Sequence, residues 1–391
     1  MNAKIHTTRR DFYPLTWAEI DLPAVKNNFL NVRRLVLKTH RARGPALAGI
    51  LAVVKADAYG HGMLPAAKLL KRCKVEFFGV SDVQEGILLR RHGIKTPILL
   101  FESTLPVLAK SIVDFNLTPT VCTYEFARCL NDYARLRKKK IDIHVKVDTG
   151  MGRLGVWHQE ALAFIEGLLN FSCLSLKGIY THFPSADTDR RFTKIQIQQL
   201  SALIAALDRR GLVIPYVHAA NSMGLAVYPS KILNLARAGL MLYGLYPSQK
   251  IRKKIRLQPT MTVKSRIIFL KKIPRGRSIS YGRTFIAKKS MTVATLPMGY
   301  NDGYWRCFSN KAAVLVGGKR CRVLGRVTMD QTMIDVTQVK SPKLGDEAVI
   351  LGRQGKNEIS ADELARLANT INYEVVCGLG NRLVKVYIPQ K

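Results

Sequence analysis

The sequence predicts an α/β protein: a (β/α)8 TIM-type barrel over residues 1–250, followed by a mostly β C-terminal domain over residues 251–391. Three observations lead there. Eight short β-branched or apolar runs punctuate residues 50–237, stretches of helical periodicity separate them, and beyond residue 250 strands continue without long helices. Eight strand–helix units in one stretch suit a barrel better than an open doubly wound sheet.

A first helix is read from Val25, Phe29, Val32 and Val36, spaced three or four apart, with Pro23 near its start. The eight runs are ILAVV (50–54), FFGV (77–80), PILLF (97–101), TPTV (118–121), IDIHVKV (141–147), LKGIYT (176–181), PYVHA (215–219) and NLAR (234–237). Between them lie segments such as LPAAKLLKRC and TKIQIQQLSALIAALDRRG, whose apolar residues recur as an outer-layer helix requires. After IRKKIRLQP the pattern turns to strands, with Gly317-Gly318 read as a hairpin turn. One helix interrupts, over 360–371, opened by the capping-box pair Ser360 and Glu363, and NRLVKVYI reads as a last strand.

Composition narrows the function classes. No apolar run is long enough for a membrane span, and the first twenty residues lack the unbroken apolar stretch of a signal peptide. Seven scattered cysteines, none spaced C-x-x-C, argue against a disulfide framework or thiolate zinc site and for a reducing, cytoplasmic setting. Sixty-two Lys and Arg against 27 Asp and Glu give a net charge of +35. The cations come in short clusters along the whole chain, without a basic helix interleaved with aromatics. That describes a solvated basic surface rather than a specific nucleic-acid site.

In a barrel the chemistry sits where strands end and loops begin. The first strand ends in VVKADAYGHG, with Lys55 directly after apolar residues. Partial desolvation there would make its amine a nucleophile able to form a Schiff base; a side chain reaching to water is the ordinary alternative. On the fifth strand, alternation sets Asp142, His144, Lys146 and Asp148 on the face opposite four apolar residues, and thus into the barrel. Buried ionisable groups must be paired, so this row reads as a functional network. The following loop, DTGMGRLG, carries Arg153, a natural carboxylate clamp. It also matches G-x-G-x-x-G, but no acidic residue follows about 20 positions on to hold a ribose. His182 ends strand six, Ser222 follows strand seven, and Arg237, Gly239 and Leu240 follow on from strand eight. Small residues with free N–H groups after late strands form the usual phosphate cradle of this fold. The set suits a phosphorylated aldehyde cofactor. In the β domain SYGRTF, LPMGYNDGYWR and GRVTMDQTMIDV gather tyrosines, arginines and an aspartate.

Taken in order from about Trp17 to Tyr387, the segments TWAEIDL, VVKADAYGHG, KVDTGMGRLG, YTHF, RAGLMLYG, SYGRTF, LPMGYNDGY, GRVTMDQ and NYE resemble the alanine racemases. The resemblance implies a pyridoxal 5'-phosphate enzyme that interconverts L- and D-alanine by a two-base mechanism, supplies D-alanine for peptidoglycan, and works as a head-to-tail homodimer. Lys55 would carry the cofactor as a Schiff base. Tyr59, Ser222, Gly239, Leu240 and Tyr373 would hold its phosphate, and Arg237 would donate to its pyridine nitrogen. Arg153 would grip the substrate carboxylate with the backbone at Met329. Lys146, whose counterpart is often carbamylated, would brace that arginine. Tyr281, from the partner subunit, would face Lys55 across the cofactor, tuned by His182. Tyr300, Arg306, Arg326 and Asp187 would surround the mouth through which substrate approaches, with Asp330 in support. Thr328, Pro184 and the NRLVKVY tail depart from the family's usual residues without touching this chemistry. A racemase of broader preference shares nearly every residue; a decarboxylase of this architecture would need an acid where Arg237 stands, and a non-catalytic module would not need the Lys55–Tyr281 pair.

Overall fold

The computed structural model describes residues 14–41, 49–228 and 230–388. They divide into two compact units: Leu22–Gln258, and the described residues from Pro259 onward together with those through Asp21.

The first unit is the barrel. Its strands are β1 (Gly49–Val53), β2 (Phe77–Val80), β3 (Ile98–Ser103), β4 (Thr118–Val121), β5 (Ile141–Asp148), β6 (Leu174–Tyr180), β7 (Tyr216–His218) and β8 (Leu235–Ala238). All run parallel, in the order β8-β1-β2-β3-β4-β5-β6-β7. Backbone bonds from Asn234 to Val217 (3.0 Å) and from Arg237 to Ala220 (3.1 Å) join the two ends. All eight strands read from the sequence are present, each within a few residues of the expected bounds.

Period-two alternation explains the layering. Ile50, Ala52, Phe78, Val80, Ile98, Leu100, Ile143 and Val145 pack outward against the helices, in one core with Val25, Phe29 and Val32. Leu51, Val53, Phe77, Leu99 and Leu235 form a separate inner cluster that fills the barrel. Burial of one such side chain stabilises by about 1.5–3 kcal/mol. Polar side chains sharing that interior, His144, Lys146, His218 and Arg237, gain no such term and need partners. Asp142 departs from the expected inward row: at the start of β5 it is exposed.

The second unit is mostly β. A sheet runs Lys319–Arg322, Ala313–Val316, Glu347–Gln354, Met261–Arg266, Thr16–Asp21 and Val384–Ile388, and a three-stranded sheet is centred on Met291–Leu296. Gly317 and Gly318, both at positive φ, turn the predicted hairpin. The predicted helix forms as Ala361–Ala368, where the Ser360 hydroxyl accepts from the Glu363 N–H, and Asn369 ends it in the left-handed region.

Three features of the layout differ from the sequence reading. The division expected at residue 250 falls at Gln258/Pro259, because Ile251, Ile255 and Leu257 bury against the barrel core. Thr16–Asp21 joins the second unit, since its two edges are taken by Met261–Arg266 and Val384–Ile388. A second helix, Asn372–Arg382, was not expected from NYEVVCGLGNR, where two valines and two glycines disfavour helix and tertiary packing decides.

Candidate active site

Lys55 lies one residue beyond β1, after Val54, and is half-buried. Beyond it the chain does something unusual: Ala56, Asp57, Ala58 and Tyr59 all take φ between 50° and 57°, although none is glycine. A left-handed turn of L-residues costs roughly 1–2 kcal/mol per residue, so strong local support is required. It is present. The Ala58 N–H donates to Val54 O (2.8 Å), the Gly62 N–H to Asp57 O (2.8 Å), and the Met63 N–H to Asp57 Oδ1 (2.6 Å). Glu85 accepts from the Ala56 N–H at 2.7 Å.

At the far end of the turn Tyr59 lies beside Gly239. A Cβ at 239 would stand 2.7 Å from the Tyr59 hydroxyl, so only glycine leaves this hollow open. Tyr243 closes it from behind, 5.0 Å from the Tyr59 ring and donating to Val53 O at 2.8 Å. Leu240 and Ser222 are buried, and Asn221 caps the short turn from Ser222 by accepting from the Gly224 N–H.

Inside the mouth a polar chain runs across three strands. Arg237, 4% exposed, donates to His218 Nδ1 (3.1 Å), His182 Nδ1 (3.1 Å) and Ala219 O (2.8 Å). His218 Nε2 meets His144 Nδ1 at 2.9 Å. A Cβ at Gly178 would collide with the His144 ring, which explains the absence of a side chain there. Burial lowers all three histidines, His144 to about 3 and His182 to about 2, so they stand neutral. Arg237 is itself lowered by burial, to about 10, and stays charged at neutral pH.

Lys146, 2% exposed, has its amine 5.7 Å from the Tyr180 ring centroid and donating to Leu154 O at 3.3 Å. Burial, then the charge of Arg237, pulls it down to about 8 against the pull of Asp148. Asp148 shapes the next loop by accepting from the N–H groups of Gly150 (2.8 Å), Met151 (2.9 Å) and Gly152 (2.9 Å). That loop carries Arg153, which is exposed at the mouth. Gln196 then ties two loops together, its amide donating to Thr149 Oγ1 (3.1 Å) and to His182 O (3.2 Å). After burial, the fields of Arg237, Arg153, Lys146 and Lys55 all act to keep His182 neutral, which places four cations about one imidazole. Such a mouth favours anionic groups.

Tyr281, Tyr300, Met329, Asp330 and Tyr373 belong to the second unit. Ser280, at φ 64°, donates from its hydroxyl to Arg326 O (2.6 Å) and fixes the turn that leaves Tyr281 72% exposed. The Tyr300 N–H donates to Thr328 O (3.0 Å) and the Asn301 N–H to Met329 O (3.1 Å), so these two loops present Tyr300, Met329 and Asp330 side by side. Arg306 begins a short turn, Arg326 is half-buried beside Gly282, and Asp187, in the barrel unit, is exposed. The sequence pattern does not single out Gln196 or Glu85, nor does it assign a role to His218. His218 alone gave a signal, a polar residue in a short apolar strand.

The fold and the mouth define a class: a barrel enzyme with a strand-end lysine set among cations for an anionic ligand, joined to a β-rich unit. Comparison narrows it. The family model described as "Alanine racemase, N-terminal domain" matches residues 20–247, and "Alanine racemase, C-terminal domain" matches residues 260–387. The chain is 42% identical to the alanine racemase of Geobacter sulfurreducens over 378 residues, 95% of this chain and 97% of that one. It is 40% identical to that of Halothermothrix orenii over 373 residues, 95% and 96% of the two chains. Among solved structures it resembles alanine racemase of Clostridium difficile 630 (TM-score 0.89, 34% identity, 97% of each chain). It also resembles that of Bacillus anthracis with bound L-Ala-P (TM-score 0.86, 32% identity, 97% and 96%). The chain belongs to the alanine racemase family.

Proposed function

We propose that the chain interconverts L- and D-alanine, the reaction of its family, at the C-terminal mouth of the barrel, and so supplies D-alanine for peptidoglycan. The observation that carries the reading is Lys55 at the end of a barrel strand, joined by the left-handed turn to Tyr59 and the hollow at Gly239, with Arg237 bonded to His182 at 3.1 Å. Alanine racemases use pyridoxal phosphate, and the residues here suit that group. A primary amine stands at the strand end, the hollow at Gly239 would be filled by a Cβ, and the cations match a phosphate and a carboxylate. When bound, pyridoxal phosphate draws electron density from the α-carbon.

Lys55 holds the cofactor covalently. Tyr59, Ser222, Gly239 and Leu240, with Tyr373, take its phosphate, and Arg237 donates to its ring nitrogen. Arg153, with the backbone at Met329, orients the substrate carboxylate. Lys146 braces Arg153 and carries a carbamate. Support for that comes from a buried amine at about 8, nucleophilic at neutral pH, whose contacts include the Leu154 carbonyl and the Tyr180 ring. Lys55 and Tyr281 stand on opposite faces, and each removes or returns the α-proton. His182 tunes the tyrosine, while Tyr300 and Asp330 support the approach. Tyr281 comes from the partner in a head-to-tail homodimer; its 72% exposure, with 54% for Met329, suits a surface awaiting a second copy. Seven free cysteines suit a cytoplasmic setting, and no helix among the described residues is long and apolar enough to cross a membrane.

The test is proton NMR of L-alanine in heavy water with added pyridoxal phosphate, followed by chiral analysis. Exchange of the α-proton with D-alanine rising toward an equal mixture, abolished in Lys55→Ala, is the expected result. Exchange without inversion would remove Tyr281 from its role. Exchange only with other amino acids would change the substrate, and none at all would end the reading.

A further inference from the structure

Both ends of the left-handed turn, Lys55 and Tyr59, are residues assigned above to the cofactor, so the turn sets the distance between covalent attachment and phosphate contact. What holds it in that hand comes from the next strand–helix unit. Glu85 lies in the first turn of Val83–Arg91, where the Asp82 side chain accepts its N–H at 2.9 Å. One carboxylate oxygen accepts from the Ala56 N–H (2.7 Å), the first amide after Lys55, and the other from the Ser81 N–H (2.8 Å) just after β2. The Asp57 N–H also acts on this carboxylate. An ionised carboxylate is an acceptor at both oxygens, which is what a pair of converging backbone N–H groups requires.

We propose that Glu85 is a positioning residue of the reaction: by clamping the Ala56 and Ser81 amides it fixes the left-handed turn that aims Lys55 and Tyr59. The bonds from Ala58, Gly62 and Met63 tie the turn to the preceding strand end and to the segment that follows, and none involves the Ala56 amide. Burial raises the Glu85 carboxyl, opposed by the same backbone N–H groups that it holds. A glutamine would keep the volume but turn an N–H donor toward one of those amides, and alanine would remove both acceptors.

The inference rests on the assignment of Lys55 and Tyr59 to the cofactor, and the experiment separates the two. Amide hydrogen exchange of residues 55–62 is followed in wild type, Glu85→Gln and Glu85→Ala. Cofactor affinity, kcat and KM for alanine are measured on the same proteins. Expected are exchange at 55–62 faster by about 10-fold or more, unchanged exchange in distant strands, and kcat lower by about 10- to 100-fold. KM should stay within about 3-fold. Glu85→Gln keeps the test open if the alanine variant fails to fold. Exchange at 55–62 as slow as in wild type, or faster throughout the barrel, would overturn the clamp. Borohydride reduction of wild type with mass mapping locates the cofactor; a lysine other than Lys55 would overturn the assignment beneath it.

Discussion

Arg237 donates to Nδ1 of His218 at 3.1 Å, and that single contact fixes the tautomers of a buried chain. A guanidinium can only donate, so the Nδ1 atoms of His218 and His182 must both be bare. Their protons sit on Nε2. His218 therefore donates to His144 Nδ1, and His144 carries its own proton on Nε2, a buried atom without a hydrogen-bond partner among the described residues.

Nitrogen-15 NMR of labelled histidine tests this directly. His144, His182 and His218 should show neutral Nε2-H signals that do not titrate from pH 8 down to about 5. Stability follows with a definite sign. The unfolded imidazoles take protons below about 6.5 while the folded ones, lowered to about 3 for His144 and about 2 for His182, do not. Each thus withdraws up to about 1.4 kcal/mol of stability per pH unit as pH falls below 6.5. Titration of any of the three near the ordinary value would refute the chain.

Arg237 also bears on selectivity. A group that keeps its proton leaves the ring nitrogen largely unprotonated and the electron sink modest. Arg237→Glu should raise transamination relative to racemisation, measured as pyruvate formed per inversion. An unchanged ratio would separate this arginine from reaction choice.

How much of this was legible in the sequence depends on how far each cause lies along the chain. Strands such as FFGV announce themselves as short apolar runs, and the Lys146 row through nearest-neighbour alternation. Lys55 was legible as a cation ending an apolar run. The left-handed turn was not: KADAY contains no glycine to signal positive φ, and the Glu85 acceptor stands 29 residues away. The strand Thr16–Asp21 was hidden for the same reason, since its partners lie some 240 to 370 positions on.

Lys146 gives a pH test in carbon dioxide-free buffer. Its amine titrates near 10.5 unfolded and about 8 folded, because burial disfavours the charge. Below pH 8 both states are protonated and the buried charge destabilises in full. Between about 8 and 10.5 the unfolded chain holds the extra proton, so stability should rise with pH, by about 3 kcal/mol in total. Lys146→Met lacks this slope, and the other titrating groups cancel between the two proteins. Urea midpoints at pH 7.5 and 10 should therefore differ more for wild type; parallel curves would mean that Lys146 is not held neutral by burial.

The hollow at Gly239 makes a separable claim. Gly239→Ala would put a methyl 2.7 Å from the Tyr59 hydroxyl and 3.3 Å from the ring carbon bearing it. The tyrosine must move, and with it the hydroxyl assigned to the phosphate. Affinity for pyridoxal phosphate, titrated into cofactor-stripped protein, should fall about 10-fold. Tyr59→Phe alone should weaken binding by a similar step, through loss of the same hydroxyl. If clash and contact are one interaction, the double variant should bind no worse than about the weaker single one, because removing the hydroxyl leaves only the 3.3 Å contact with the ring. Independent, fully additive losses would mean that Gly239 serves the phosphate through its own backbone, with Tyr59 merely its neighbour.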